Sequence, residues 1–120
     1  MPKILIVDDD ITITELIKTV VRLEGFEPTV VNDSTRAMEA AHSVNPDVIT
    51  LDIMMPKLSG LELCALLRQD PKFANTPILI ISAKVDAASR QKALQAGAKE
   101  FITKPFRIDD LLSTIKSSLT

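Results

Sequence analysis

Asp8, Asp9, Asp52, Ser82 and Lys104 each stand at or just beyond the end of a short apolar run. Ile4–Val7 leads into Asp8-Asp9-Asp10, Val48–Leu51 into Asp52, Ile78–Ile81 into Ser82, and Phe101-Ile102 into Thr103-Lys104. If these runs are parallel strands, carboxylates, a hydroxyl and an ammonium meet along one edge of a sheet. Helix-flanked parallel sheets place their ligands at that edge. The chemistry such a set supports is that of phosphate and a divalent cation. Carboxylates forced together either raise a pKa or hold a cation. Oxygen-only donors suit Mg2+ or Mn2+ over zinc, and Mg2+ takes one or two carboxylates together with waters and phosphate oxygens.

Each residue also has a purely structural reading. Asp10 is well explained as a helix cap, because acidic side chains suit a helix N-terminus. Asp8 and Asp9 exceed what a cap requires. Asp52 follows Val-Ile-Thr-Leu, which has the character of a buried strand. It is either a cap for the next turn or a nucleophile that takes up a phosphoryl group as an acyl phosphate. That transfer gathers negative charge on the phosphoryl oxygens, so it needs a metal with cationic and hydroxyl partners around them. Ser82 and Lys104 are of the right types. Lys104 precedes Pro105-Phe106 and so lies in a constrained turn.

The elements that must position these groups alternate along the chain. A short continuous apolar run predicts a strand buried on both faces at Ile4–Val7, and further strands follow near Phe26–Val31, at Val48–Leu51, at Ile78–Ile81 and, as a short one, at Lys99–Ile102. Between them lie helical stretches. The first carries Ile13, Leu16, Ile17, Val20 and Val21 and stops at Gly25. The second follows the caps offered by Asn32, Asp33 and Ser34, carries Ala37, Met38 and Ala41, and closes at Asn45-Pro46. The third opens on Ser59 and Glu62 at capping-box spacing and ends near Asp70. The fourth covers roughly Asp86 to Ala96. The fifth shows Ile108, Leu111, Leu112, Ile115 and Leu119 on one face. Five βα units with right-handed crossovers put helices on both faces of the sheet, giving a three-layer α/β sandwich.

Bulk properties narrow the function classes. At 120 residues, one domain spanning 1–120 is expected. Net charge is −2 with no basic stripe, which argues against direct nucleic-acid binding. No apolar stretch approaches a membrane span, and Met1-Pro2-Lys3 runs straight into the first strand, so a cytoplasmic location is expected. Cys64 is the only cysteine, in a leucine-rich helical stretch with Leu63, Leu66 and Leu67, and reads as a buried inert thiol. His42 is the only histidine and lies remote from the strand ends, so no histidine-based triad or metal site is expected.

Taken in order, Ile-Leu-Ile-Val-Asp8-Asp9-Asp10, Leu51-Asp52-Ile-Met-Met-Pro56, Gly60, Ile-Ser82-Ala83, Gly97-Ala98 and Thr103-Lys104-Pro105-Phe106 make a specific set. Through it the chain closely resembles the receiver domain of two-component response regulators, over essentially its whole length. The resemblance implies a doubly wound, flavodoxin-like fold with strand order 2-1-3-4-5. It implies that Asp52 accepts a phosphoryl group from a phosphohistidine on a sensor histidine kinase or phosphotransfer protein. Asp9, Asp52 and the backbone carbonyl of Met54 would bind Mg2+, with Asp8 reaching it largely through water. Lys104 would pair with the phosphoryl group or, before it arrives, with Asp52. Ser82 would bond a phosphoryl oxygen and draw its loop inward, and Phe101 would swing inward as the aromatic switch. The Lys104–Pro105 peptide would be cis. The output would pass through the face of helix four, strand five and helix five to an effector domain or target protein, with room for a phosphorylation-dependent homodimer.

Several positions depart from common choices in that family. Phe101 lacks the hydroxyl of the frequent tyrosine. Met54 and Lys84 occupy two variable positions flanking the phosphate, and Met54 cannot orient an attacking water, so a phosphoryl group outlasting that of fast chemotaxis-type members is expected. Lys99-Glu100 and Thr114 replace the Asp pair and the arginine usual in regulators that dimerise through charged contacts. Three rival classes remain. A haloacid-dehalogenase-type phosphatase needs a second Asp two positions after the nucleophile, where Met54 stands. A pseudo-receiver, an interaction module without phosphoryl transfer, typically lacks one of the residues present here. A nucleotide-binding flavodoxin relative needs glycines or hydroxyls where this chain offers acids.

Overall fold

The computed structural model describes residues 1–83 and 86–120. Its strands are β1 (Lys3–Val7), β2 (Glu27–Val31), β3 (Val48–Leu51), β4 (Ile78–Ser82) and β5 (Glu100–Thr103). They alternate with α1 (Ile11–Leu23), α2 (Ala37–Val44), α3 (Gly60–Gln69), α4 (Ala87–Gln95) and α5 (Ile108–Ser118). The sheet runs β2-β1-β3-β4-β5 with every neighbouring pair parallel. β4 extends to take in Ser82, and β5 lies one residue nearer Lys104 than the apolar pattern suggests.

Two-residue periodicity within each strand divides the core. Leu5, Val7, Ile49, Leu51, Ile78 and Ile80 pack against the buried side chains of α2, α3 and α4, among them Ala41, Leu63, Leu67 and Ala93. Ile4, Ile6, Val48, Leu79 and Ile81 pack on the opposite face against Ile17 and Val21 of α1 and Leu111 and Ile115 of α5. Burial of each large aliphatic side chain contributes about 1.5–3 kcal/mol. No helix among the described residues is long and apolar enough to cross a membrane.

Local chemistry sets the helix ends. Asp10 accepts from the Ile13 amide, Ser59 and Glu62 form a reciprocal capping box, and Asp86 accepts from the Ser89 amide. Asn45 closes α2 in the left-handed conformation at φ 56°. α2 starts at Ala37, where its apolar pattern begins but later than its cap residues suggest, because Ser34–Arg36 form a 3-10 turn capped by Asp33. In α1 the expected Leu16 is 40% exposed, while Thr14 is fully buried. Leu16 lies about 100° around the helix from Ile17 and so falls off the core-facing stripe. Thr14 tolerates burial because its hydroxyl donates to the Ile11 carbonyl and accepts from Asn32.

Arg68 fastens the far end of the sheet from the candidate site. Its Nε donates to the Gly97 carbonyl at 2.9 Å, and its Nη1 donates to Phe73 at 2.8 Å and Thr76 at 2.5 Å. Arg68→Ala is expected to lower stability in urea unfolding by about 2 kcal/mol. Arg68→Lys should recover little of that, since a point charge cannot span these carbonyls.

Candidate functional site

The site is assembled by the strand register. β1 and β3 pair Val7 with Leu51, and the ladder continues past them. The Asp8 amide donates to the Val31 carbonyl and the Asp52 amide to the Val7 carbonyl, each at 3.1 Å. Asp8 and Asp52 therefore leave adjacent strands side by side. Both are buried, at 3% and 7% exposure, while Asp9 faces solvent. One carboxylate oxygen from each of Asp8, Asp9 and Asp52 lies within 4.8 Å of the others.

β5 brings the ammonium. The Lys104 amide donates to the Ser82 carbonyl at 2.9 Å, and the Lys104–Pro105 peptide is cis. Lys104 Nζ lies 2.6 Å from Asp8 Oδ2 and 3.3 Å from Asp52 Oδ2. The shorter contact is thus to Asp8, whereas the resemblance points to Asp52. Backbone amides hold both carboxylates from the other side: Asp10 donates to Asp8 Oδ1 at 3.0 Å and Met54 to Asp52 Oδ1 at 3.3 Å.

Burial pushes the Asp8 carboxyl above its ordinary value, against the lowering effects of the Lys104 and Asp10 hydrogen bonds, and the nearby Asp52 charge adds to the rise. Burial also works against the charged form of Lys104. The hydrogen bond and charge of Asp8, then those of Asp52, outweigh it and hold the Lys104 pKa above the ordinary lysine value. The ammonium therefore stays charged through neutral pH. Three carboxylates against one ammonium leave an excess of negative charge, which a hard divalent cation would neutralise. The donor set is all oxygen and fits Mg2+ or Mn2+ better than a softer metal.

The remaining expected residues lie around this cluster. Ser82 is fully buried at the end of β4, the strand next to Asp52, and pairs in register with Thr103 just before Lys104. The Met54 side chain is 61% exposed. The Phe101 ring is 9% exposed and the Arg90 guanidinium lies 5.2 Å from its centroid. Phe101 packs into the core cluster beneath α4 in this structure. Lys84 lies outside the described residues. Cys64 is buried and its thiol pushed up by desolvation, in keeping with an inert role. His42 pairs with Asp70 at 2.7 Å, away from the cluster.

Two contributors, Asn32 and Ser34, escape a sequence reading, and a third, Gly60, stands in it only as part of the family motif. Gly60, at the start of α3, leaves no room for a side chain against the backbone of Asp52. Asn32 donates to the Asp8 carbonyl, and Ser34 donates to the Pro56 carbonyl. Only the turn-forming character of Asn32-Asp33-Ser34 was visible, and it is shared by many caps that touch nothing beyond their own helix.

The family model for the response regulator receiver domain matches residues 4–116. The DNA-binding response regulator MtrA of Mycobacterium tuberculosis is 36% identical over 117 residues, covering 98% of this chain and 50% of that protein. The chain spans about half the length of the curated relatives it matches. Among solved structures, chemotaxis protein CheY4 of Vibrio cholerae superposes with a TM-score of 0.95 at 30% identity, over 99% of each chain. The Francisella response regulator 1452 receiver domain does so at 0.91 and 36% identity, over 99% of this chain and 97% of that one. Strand order, the acid cluster and the overlap with these proteins agree, and the chain belongs to the family of response regulator receiver domains of two-component signalling.

Proposed function

We propose that Asp52 accepts a phosphoryl group from a phosphohistidine on a sensor histidine kinase or phosphotransfer protein. The observation that carries this reading is a buried carboxylate at a strand end, 3.3 Å from an ammonium and clustered with two further carboxylates. An Asp52 oxygen forms a bond to phosphorus as the phosphorus–nitrogen bond breaks. The electron pair leaves with the imidazole, which departs neutral with a proton on one ring nitrogen. Asp8, Asp9, Asp52 and the Met54 carbonyl would hold Mg2+, which supplies charge neutralisation for the phosphoryl oxygens. Lys104 turns from the carboxylates to one phosphoryl oxygen, and the Ser82 hydroxyl donates to another.

The new charge then biases the face formed by α4, β5 and α5 through Ser82 and Phe101, and that face controls an effector domain or target protein. Lys99 Nζ donates to the Ser118 carbonyl at 3.1 Å. A homodimer formed on phosphorylation would use this face. Such a donor and switch belong in the cytoplasm.

Incubation with acetyl phosphate and Mg2+ is expected to add one phosphate to the protein by intact mass, and chelation of the metal to prevent it. Absence of any adduct under both conditions overturns the reading and favours a pseudo-receiver. A second expectation follows from the crowded acids. Asp9→Asn removes one like charge and should raise metal-free stability by about 1 kcal/mol, or roughly 4 °C in Tm. The same variant should lose the rise in Tm that Mg2+ produces in the parent protein. A Tm that still climbs with Mg2+ would remove Asp9 from the ligand set.

A further inference from the structure

The loops that carry the acids leave the sheet on adjacent strands, and a third loop without any group in the cluster is bonded to both. Asn32 Nδ2 donates to the Asp8 carbonyl at 2.8 Å and to Thr14 Oγ1 at 3.0 Å. Two residues on, Ser34 Oγ donates to the Pro56 carbonyl at 3.0 Å and accepts from the Leu58 amide at 3.3 Å. Asp33, between them, faces Lys57 at 4.0 Å. Because β2 is the edge strand beyond β1, this loop passes over the end of β1 to reach the loop after β3. Ser34 is 3% exposed and Thr14 fully buried, so neither contact is a casual surface one.

We infer that Asn32 and Ser34 are positioning residues that set the separation between the Asp8-Asp9 loop and the Asp52–Met54 loop, and so tune Mg2+ affinity. The inference rests on the proposed reading of the acid cluster. Its physical basis is that Mg2+ demands near-ideal octahedral geometry, so ligands from two loops must be held at a fixed spacing. Hydrogen bonds at one remove from the metal supply that constraint, and losing one typically weakens binding by about 10- to 100-fold. Asn32 holds the carbonyl of one ligand residue. Ser34 holds both a carbonyl and an amide in the stretch where Lys57 adopts φ 70°. Two short side chains in one turn therefore fasten two halves of one site.

The test measures Mg2+ affinity by isothermal titration calorimetry on metal-free protein, with Tm recorded in parallel. Asn32→Ala and Ser34→Ala are compared with the parent, and Arg68→Ala serves as a destabilised control remote from the cluster. Asn32 is exposed, so its variant is expected to keep the fold even where Ser34→Ala does not, and the parallel Tm measurement checks this. The expected result is Mg2+ binding weakened about tenfold in each loop variant and unchanged in Arg68→Ala. At saturating Mg2+ the rate of labelling by acetyl phosphate should return towards the parent value. Affinities within about twofold of the parent, or an equal loss in Arg68→Ala, overturn the inference. A parent protein that neither binds Mg2+ nor takes up phosphate sinks this inference and the reading beneath it; a parent that does both while the variants match it sinks this inference alone.

Discussion

Asp52→Asn is expected to take up no phosphoryl group from acetyl phosphate and Mg2+, while melting at or above the temperature of the parent protein. The loss should be complete, because an amide offers neither the charge nor the nucleophilic oxygen that the transfer requires. The fold should be indifferent. Asparagine matches aspartate in shape, and Lys104 keeps its shorter contact, 2.6 Å to Asp8. Removing the Asp52 charge also relieves the repulsion that helps to raise the Asp8 pKa. Intact-mass measurement separates the outcomes: a full adduct on the variant would move the acceptor to another residue, and a collapsed Tm would make Asp52 a structural group.

Gly60→Ala is expected to be the most destabilising small substitution near the site. A Cβ at this position would lie 2.0 Å from the Asp52 carbonyl oxygen, 2.7 Å from its carbon and 2.9 Å from Ile53 Cα. Helix propensity alone would favour alanine here by about 1 kcal/mol. The clash outweighs that preference, because the obstacle is backbone and cannot rotate away. A loss of about 3 kcal/mol or more in urea unfolding is expected. Labelling of Asp52 should slow as well, since the chain that must yield is the acceptor's own. A variant as stable as the parent would show that α3 can shift without disturbing β3.

Much of this architecture was legible in the residue pattern. Four-residue runs such as Val48–Leu51 cannot expose either face and therefore imply a covered parallel sheet. Once parallel strands are implied, the residues after them must share an edge, so Asp8, Asp52 and Lys104 fall together by topology. Gly25 and Asn45 stand where helices end because few other residues accept a left-handed backbone. The strand order came from the family resemblance, and the register confirms it.

What the pattern of residues determined by itself was which groups meet, because period-two burial and strand polarity are properties of local sequence. Tertiary structure alone decided how they meet. Lys104 stands closer to Asp8 than to Asp52 through side-chain conformations packed from three strands. Phe101 lies inward because its ring finds room in the core beneath Arg90. Gly60 is required by a backbone eight positions earlier in the chain, and Asn32 and Ser34 serve loops on other strands. Short polar side chains bond a local amide or a distant carbonyl with equal ease, so only the folded chain reveals which partner each one found.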